Sequence, residues 1–175
     1  MNTYKLDPTH SSISFSIKHM MIAKVRGSFD KFDAKLVYNK NEPEKSSAEA
    51  TIEAGSINTN EAQRDTHLKS ADFFDVDSFP SLLFKSTSVN VEDGELKVKG
   101  DLTIKGISKE VVLTLDGPTD ELKDPYGNLK IGVSATTKIK RKDFGLNWNA
   151  ALEAGGVLVG DDVTITLDLQ FVKES

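Results

Sequence analysis

The 175-residue sequence contains no cysteine, which excludes disulfides, thiolate metal sites, iron–sulfur clusters and a cysteine nucleophile together. It also lacks an excess of positive charge. The 22 Lys and Arg stand against 27 Asp and Glu, for a net charge of -5 and a pI near 5.2. That field repels phosphate backbones and no basic patch offsets it, so no nucleic-acid partner is expected. A hydrophobic content of 38% with 28% charged residues excludes a membrane-spanning chain and, given regular apolar patterning, a disordered one. The opening MNTYKLDPTHSSISF has no basic segment leading into an apolar run, so it does not read as a secretory signal. The expected location is cytoplasmic, or periplasmic for the processed form of an exported protein. Catalytic signatures are missing too: there is no G-x-S-x-G elbow, H-E-x-x-H pair or phosphate-binding glycine loop. No catalytic residue, cofactor or metal is expected.

What is present is alternation. Ile13, Phe15 and Ile17 alternate with serines, and Phe32, Ala34, Leu36 and Tyr38 alternate with polar residues. The same period of two runs through Ala48–Ile52, Leu82–Phe84, Leu96–Ile104, Val111–Leu115, Ile131–Ile139 and Val163–Phe171. It marks strands with one buried and one wet face. Turn signals at Asn39–Pro43, Asp93-Gly94, Lys105-Gly106, Gly117-Pro118, Asp124–Asn128 and Gly160-Asp161 separate them. Only Ser56–Phe79 departs, where Asn58-Thr59-Asn60 offers caps for one short helix over EAQRDTHLKS. The fold class is therefore all-β, and residues 1–175 are expected to form a single domain. One apolar face per strand requires packing on a second sheet or closure into an antiparallel barrel of about eight strands. Small residues on the apolar faces, Ala34, Ala48, Ala50, Gly100, Ala135 and Thr137, favour a hollow interior.

Several tags now fall into a recognisable order: Leu6-Asp7-Pro8-Thr9-His10-Ser11, then Val25-Arg26-Gly27-Ser28-Phe29, then Arg64-Asp65-Thr66-His67-Leu68 and Asp72-Phe73-Phe74. Gly100–Gly106, Arg141-Lys142-Asp143-Phe144-Gly145 and Val159-Gly160-Asp161 follow in register. Together they resemble the YceI-like family of lipocalin-like, polyisoprenoid-binding proteins, from about residue 3 to 172. The resemblance implies an extended barrel whose apolar tunnel holds an isoprenoid chain, commonly in a homodimer. The expected ligand is a long-chain isoprenoid, either a polyprenyl chain or a quinone tail, held for storage, shielding or transport. Two alternatives stay open: a stress-related enzyme acting on such a lipid, and a filled-core β domain serving as a protein-interaction module.

On this reading the tunnel is lined by Phe15, Ile17, Met20, Phe29, Phe73, Phe74, Phe79, Phe84, Val133, Ala135, Ile139, Phe144 and Trp148. Phe73, Phe74 and Phe79, after the helix, and the Met20-Met21-Ile22 cluster suit either a tunnel entrance or plain core. His19, Arg64, His67 and Arg141 are the candidates for contact with a head group. Arginine is scarce, with only Arg26, Arg64 and Arg141, so each position is expected to use the planar five-donor guanidinium. For Arg141, which continues the apolar face of Ile131–Ile139, the structural reading is a carboxylate partner among Asp65, Asp72, Asp143 and Asp161. The three histidines, His10, His19 and His67, lack close metal-ligand spacing, and structural hydrogen bonding is the expectation for them.

Overall fold

A computed structural model describes residues 1–150, 152 and 158–174. The strands in chain order are β1 (Asn2–Leu6), β2 (Ser12–His19), β3 (Ala23–Phe29), β4 (Phe32–Tyr38), β5 (Ser47–Glu53) and β6 (Ile57–Asn58). After helix α1 (Ala62–Lys69) come β7 (Ser81–Glu92), β8 (Glu95–Ile104), β9 (Ile107–Asp116), β10 (Leu122–Lys123), β11 (Leu129–Lys140) and β12 (Val159–Lys173). Neighbouring strands run β11–β9–β8–β7–β5–β4–β1–β12, and β12 pairs back onto β11. The result is a closed eight-stranded antiparallel barrel, which leaves none of those eight strands as an open edge.

The other strands continue members of the barrel past a break. β1 and β2 lie along the same side of β12, with Leu6 opposite Phe171 and Ser12 opposite Asp168. β4 follows β3 after two residues, and β5 leads through a 3-10 turn at Ala54–Ser56 into β6. Each break coincides with a change of phase in the apolar alternation. Tyr4 and Leu6 are even but Ile13, Phe15 and Ile17 odd, while Val25, Gly27 and Phe29 are odd but Phe32, Ala34 and Leu36 even. Because a one-residue slip turns every side chain to the opposite face, the chain must kink there to keep its apolar residues inside.

The first break is organised by Asp7. Its carboxylate accepts from the Thr9 backbone N–H and approaches His10 Nδ1 and Lys130 Nζ, each at 2.9 Å. The Asp7 N–H donates to the Gln170 carbonyl at 2.8 Å, and the Gln170 N–H donates to Ser11 Oγ at 2.9 Å, so β12 stays bonded across the gap. Hydrogen bonds from Lys130, His10 and Thr9 hold the Asp7 carboxyl well below the usual carboxylate range.

Helix α1 is capped by Glu61, whose side chain accepts from the backbone N–H groups of Gln63 and Arg64, rather than by Asn58–Asn60. Thr59 is engaged elsewhere: its N–H and hydroxyl both donate to Asp65 Oδ1. Hairpin turns at 20–22 and 105–106, α1 and a 3-10 turn at Arg141–Phe144 gather at one end of the barrel. The start of β1 and the end of β12 lie at the other.

The core divides accordingly. At the terminal end Tyr4, Leu6, Ile131, Val133 and Phe171 form one buried cluster. A larger cluster, including Ile13, Phe29, Ile52, Phe73, Ile139 and Phe144, occupies the helical end.

Candidate functional site

The helical half of the barrel encloses a cavity of about 540 Å³. Phe15 and Ile17 of β2 lie beside Val163, Ile165, Leu167 and Leu169 of the adjacent β12 on its wall. All six follow the inward alternation, yet none is fully buried, because they face a void instead of other side chains. Leu68 of α1, Phe73, Phe74 and Trp148 cover one end. Among the described residues the exposed ones on the lining are Lys18 and Gln63, and this places the mouth between the end of β2 and α1. A smaller space of about 90 Å³ continues toward the terminal end, with Phe84, Leu113, Leu167 and Leu169 common to both walls. These four side chains form the partition between the compartments.

Two glycines shape the wall. Gly27 lies directly opposite Phe15, and a Cβ there would collide with the Phe15 ring. Likewise, the Phe84 ring occupies the place a Cβ on Gly100 would take. In each case a missing side chain lets a large ring lie flat on the sheet.

Polar groups cluster round the mouth, and the fold engages most of them. Arg64 Nε donates to Thr59 Oγ1 at 2.8 Å and its Nη2 to the Thr59 carbonyl at 2.9 Å. His67 Nε2 lies 2.9 Å from Asp72 Oδ2. Its ring stands edge-on to Phe73 and Trp148, with centroids 5.0 and 4.7 Å away. His19 lines the wall at the end of β2.

Arg141 is only 2% exposed, and its donors turn to backbone. Nε donates to the Gly160 carbonyl at 2.8 Å, Nη1 to those of Leu146 and Trp148, and Nη2 to that of Val159 at 3.4 Å. The carboxylate partner expected for it reduces to Asp161, whose Oδ1 lies 3.9 Å from Nη2, buried and without a hydrogen bond. Burial lowers the Arg141 pKa while the Asp161 charge raises it. Arg141 thus ties the segment after the 3-10 turn to the start of β12, and its donors are committed to that task.

Of the residues expected to line a tunnel, Phe15, Ile17, Phe29, Phe73, Phe74, Phe84, Ile139 and Trp148 line the large cavity. Val133 and Ala135 line the smaller space. Three others line neither. Met20 is 46% exposed in the β2–β3 turn, outside the barrel wall. Phe79 packs over Gly106 in the β8–β9 turn, and Phe144 is 1% exposed among core side chains of the 3-10 turn. Conversely, Ile13, Phe32, Ile52, Val163, Ile165 and Leu167 belong to the wall but were not among the expected residues. Their signal was the same alternation, which marks an inward face without saying whether that face meets a void.

His10 is bound to Asp7, away from the other two histidines. Among the described residues no group of three or more metal-ligating side chains is assembled, and no helix is long and apolar enough to cross a membrane.

The YceI-like domain matches residues 4–171. This chain belongs to the YceI-like family. It is 42% identical over 171 residues to a UPF0312 protein of Staphylococcus aureus strain N315, covering 98% of each. The structure of BcnA from Burkholderia cenocepacia superposes with a TM-score of 0.80 at 23% identity, over 94% of this chain and 98% of that one. A polyisoprenoid binding domain from Saccharophagus degradans gives a TM-score of 0.71 at 16% identity, over 99% and 100% of the two chains. These last two likenesses show the fold. Several of the sequence tags have structural work in this YceI-like barrel: Leu6–Ser11 forms the first strand break, Arg64–Leu68 lies in α1, and Arg141–Gly145 anchors the end of β11.

Proposed function

We propose that this YceI-like protein binds the hydrocarbon chain of an isoprenoid lipid, a polyprenyl chain or a quinone tail, inside the barrel, to store, shield or carry it. The observation that carries the reading is the apolar cavity of about 540 Å³, a volume in the range of roughly 300–1,000 Å³ common for small-molecule sites. Its wall is built from branched and aromatic side chains, and affinity there comes from removing hydrocarbon from water. At about 0.8 kcal/mol per buried methylene-sized group, a chain of many carbons needs no charged contact to bind tightly. The name of the Saccharophagus degradans domain supports the same ligand class. His19, Arg64 and His67 stand on the wall near the mouth, and in this proposal the head group lies there.

A homodimer, implied by the family resemblance, belongs to the same proposal; sedimentation equilibrium of the purified protein tests it. The ligand is tested by mass spectrometry of an organic extract of the purified protein. The expected result is an isoprenoid recovered in proportion to protein. Protein that yields no lipid and takes up no added geranylgeraniol would overturn the reading.

A further inference from the structure

The hairpin joining β2 to β3 is built against the usual chemistry of turns. Its backbone closes with the Ile22 N–H donating to the His19 carbonyl at 3.3 Å. The two central residues, Met20 and Met21, have φ of 54° and 61°. That left-handed pair is the type I′ geometry, which favours Asn-Gly and disfavours side chains as large as methionine. Here the positions carry thioethers, and Ile22 follows. Met20, Met21 and Ile22 are 46%, 60% and 86% exposed. Three adjacent large apolar side chains therefore project into solvent from a strained turn, where polar residues would fold better.

The stem beneath this tip is cationic. Lys18 and Lys24 are direct cross-strand partners, as are Ser16 and Arg26. Like charges placed opposite each other in a sheet repel, so this arrangement also works against local stability. Residues 8–29 hold three cations, Lys18, Lys24 and Arg26, and no carboxylate, in a chain whose net charge is -5. At the start of the neighbouring β12, Asp161 lies 3.5 Å from Lys142 and Asp162 lies 3.7 Å from Lys140. Among the described residues, those two carboxylates each have a lysine of their own, and Lys18, Lys24 and Arg26 of the stem enter no salt bridge. The tip also adjoins the mouth: Lys18 and His19, immediately before Met20, are cavity-lining residues.

An apolar tip on a cationic stem fits one surface by chemistry, a bilayer containing anionic lipid, where the tip enters the hydrocarbon boundary and the lysines meet phosphates. We propose that the Met20–Ile22 hairpin docks the barrel onto an anionic bilayer with its cavity mouth facing the membrane. Through such docking, a chain would pass between bilayer and cavity without crossing water. That last step rests on the isoprenoid reading of the cavity, whereas the docking does not.

The experiment measures co-sedimentation of the full chain with vesicles of phosphatidylcholine alone and of phosphatidylcholine with phosphatidylglycerol. Geranylgeraniol binding is measured in parallel without vesicles. The parent is expected to bind the anionic vesicles, and to be released by salt as screening shortens the field. Met20→Asn/Met21→Gly/Ile22→Ser keeps the turn geometry with residues that suit it. It should weaken vesicle binding by about tenfold or more through lost apolar burial, with a melting temperature no lower than that of the parent and geranylgeraniol uptake unchanged. Lys24→Glu/Arg26→Glu should abolish the preference for anionic vesicles. A parent that binds geranylgeraniol but no vesicles overturns the docking, whereas one that binds vesicles but no geranylgeraniol supports the docking and overturns the ligand. If the triple substitution converts a dimer to a monomer and leaves vesicle binding as in the parent, the tip is an interface between copies and the proposal fails.

Discussion

The two ends of the barrel are made from the same alternating strands and have opposite interiors. At the terminal end, Tyr4, Leu6, Ile131, Val133 and Phe171, from the adjacent strands β1, β11 and β12, pack together and bury one another, leaving a space of about 90 Å³ beside them. Tyr4 donates its hydroxyl to Glu121 Oε1 at 2.6 Å, and Lys173 Nζ lies 3.2 Å from that same oxygen, so this end is also latched by polar contacts. At the helical end, the inward residues of the adjacent strands β2 and β12 border a void of about 540 Å³. A closed half can hold the barrel together while an open half remains available to a ligand. The difference is one of packing, since burial of apolar area stabilises and an unfilled volume forfeits the contacts that would have filled it.

Hollowing out the filled end should have the largest effect. Phe171→Ala, at a residue only 4% exposed, is expected to cost about 3–5 kcal/mol in unfolding free energy. Ile165→Ala, at a half-buried residue of the cavity wall, should cost less than about 2 kcal/mol because part of its surface already faces empty space. Urea denaturation of both variants checks the ordering; equal losses would mean the two ends pack alike.

Overfilling gives the next largest effect. Ala135 is 6% exposed and lines the smaller space, so Ala135→Trp should strain the barrel by about 1–3 kcal/mol or more. A melting temperature equal to that of the parent would show the terminal end to be looser than described.

The titrating groups sharpen the contrast, because Asp7 and Tyr4 both belong to the terminal half. The Asp7 carboxyl is depressed by Lys130, His10 and Thr9. Its contribution to stability is complete above the unfolded value near 3.9 and is lost as pH falls below it. Burial, the Glu121 hydrogen bond and the Glu121 charge push the Tyr4 phenol up to about 12. Its contribution is complete below the unfolded value near 10 and is lost as pH rises from there toward 12. Asp7→Asn should flatten the acid limb and Tyr4→Phe the alkaline limb of a stability–pH profile. Unchanged limbs would remove these groups from the account. The smallest effect is expected on the outer face, where Ser134→Lys should change stability by no more than about 0.5 kcal/mol.

Much of this architecture is legible in residue order, and the illegible part has a physical cause. Strands β11 and β12 could be read from Ile131–Ile139 and Val163–Phe171, because period two over many residues fixes which face is buried, whereas their pairing and register could not. The strand breaks were also present in the sequence, as the slip from Phe29 to Phe32 and from Leu6 to Ile13, but phase changes become kinks only once the partner strand is known. The cavity was harder to read. Alternation assigns Ile139 and Val133 to the same interior, whereas the structure puts them on the walls of different spaces. What separates them is the partition at Phe84, Leu113, Leu167 and Leu169, side chains that strands distant in sequence bring to one level of the barrel. Arg141 illustrates the same limit: a carboxylate partner suits a lone buried guanidinium, yet the carbonyls of Leu146, Trp148 and Gly160 satisfy it. Phe79 and Phe144 are both expected on the tunnel wall, and their backbone turns carry them elsewhere.

In the proposed function the large void, rather than the surface or the small space, receives the isoprenoid chain. Ala50 is a small residue on the wall of that void, and Ala50→Trp would place an indole inside it without displacing packed neighbours. The direct measurement is titration of the parent and of Ala50→Trp with geranylgeraniol, with thermal melting of both proteins recorded alongside. Saturable binding to the parent and its loss in Ala50→Trp are expected, at a melting temperature no lower than that of the parent. Binding retained in Ala50→Trp, or lost only together with the fold, would contradict that placement.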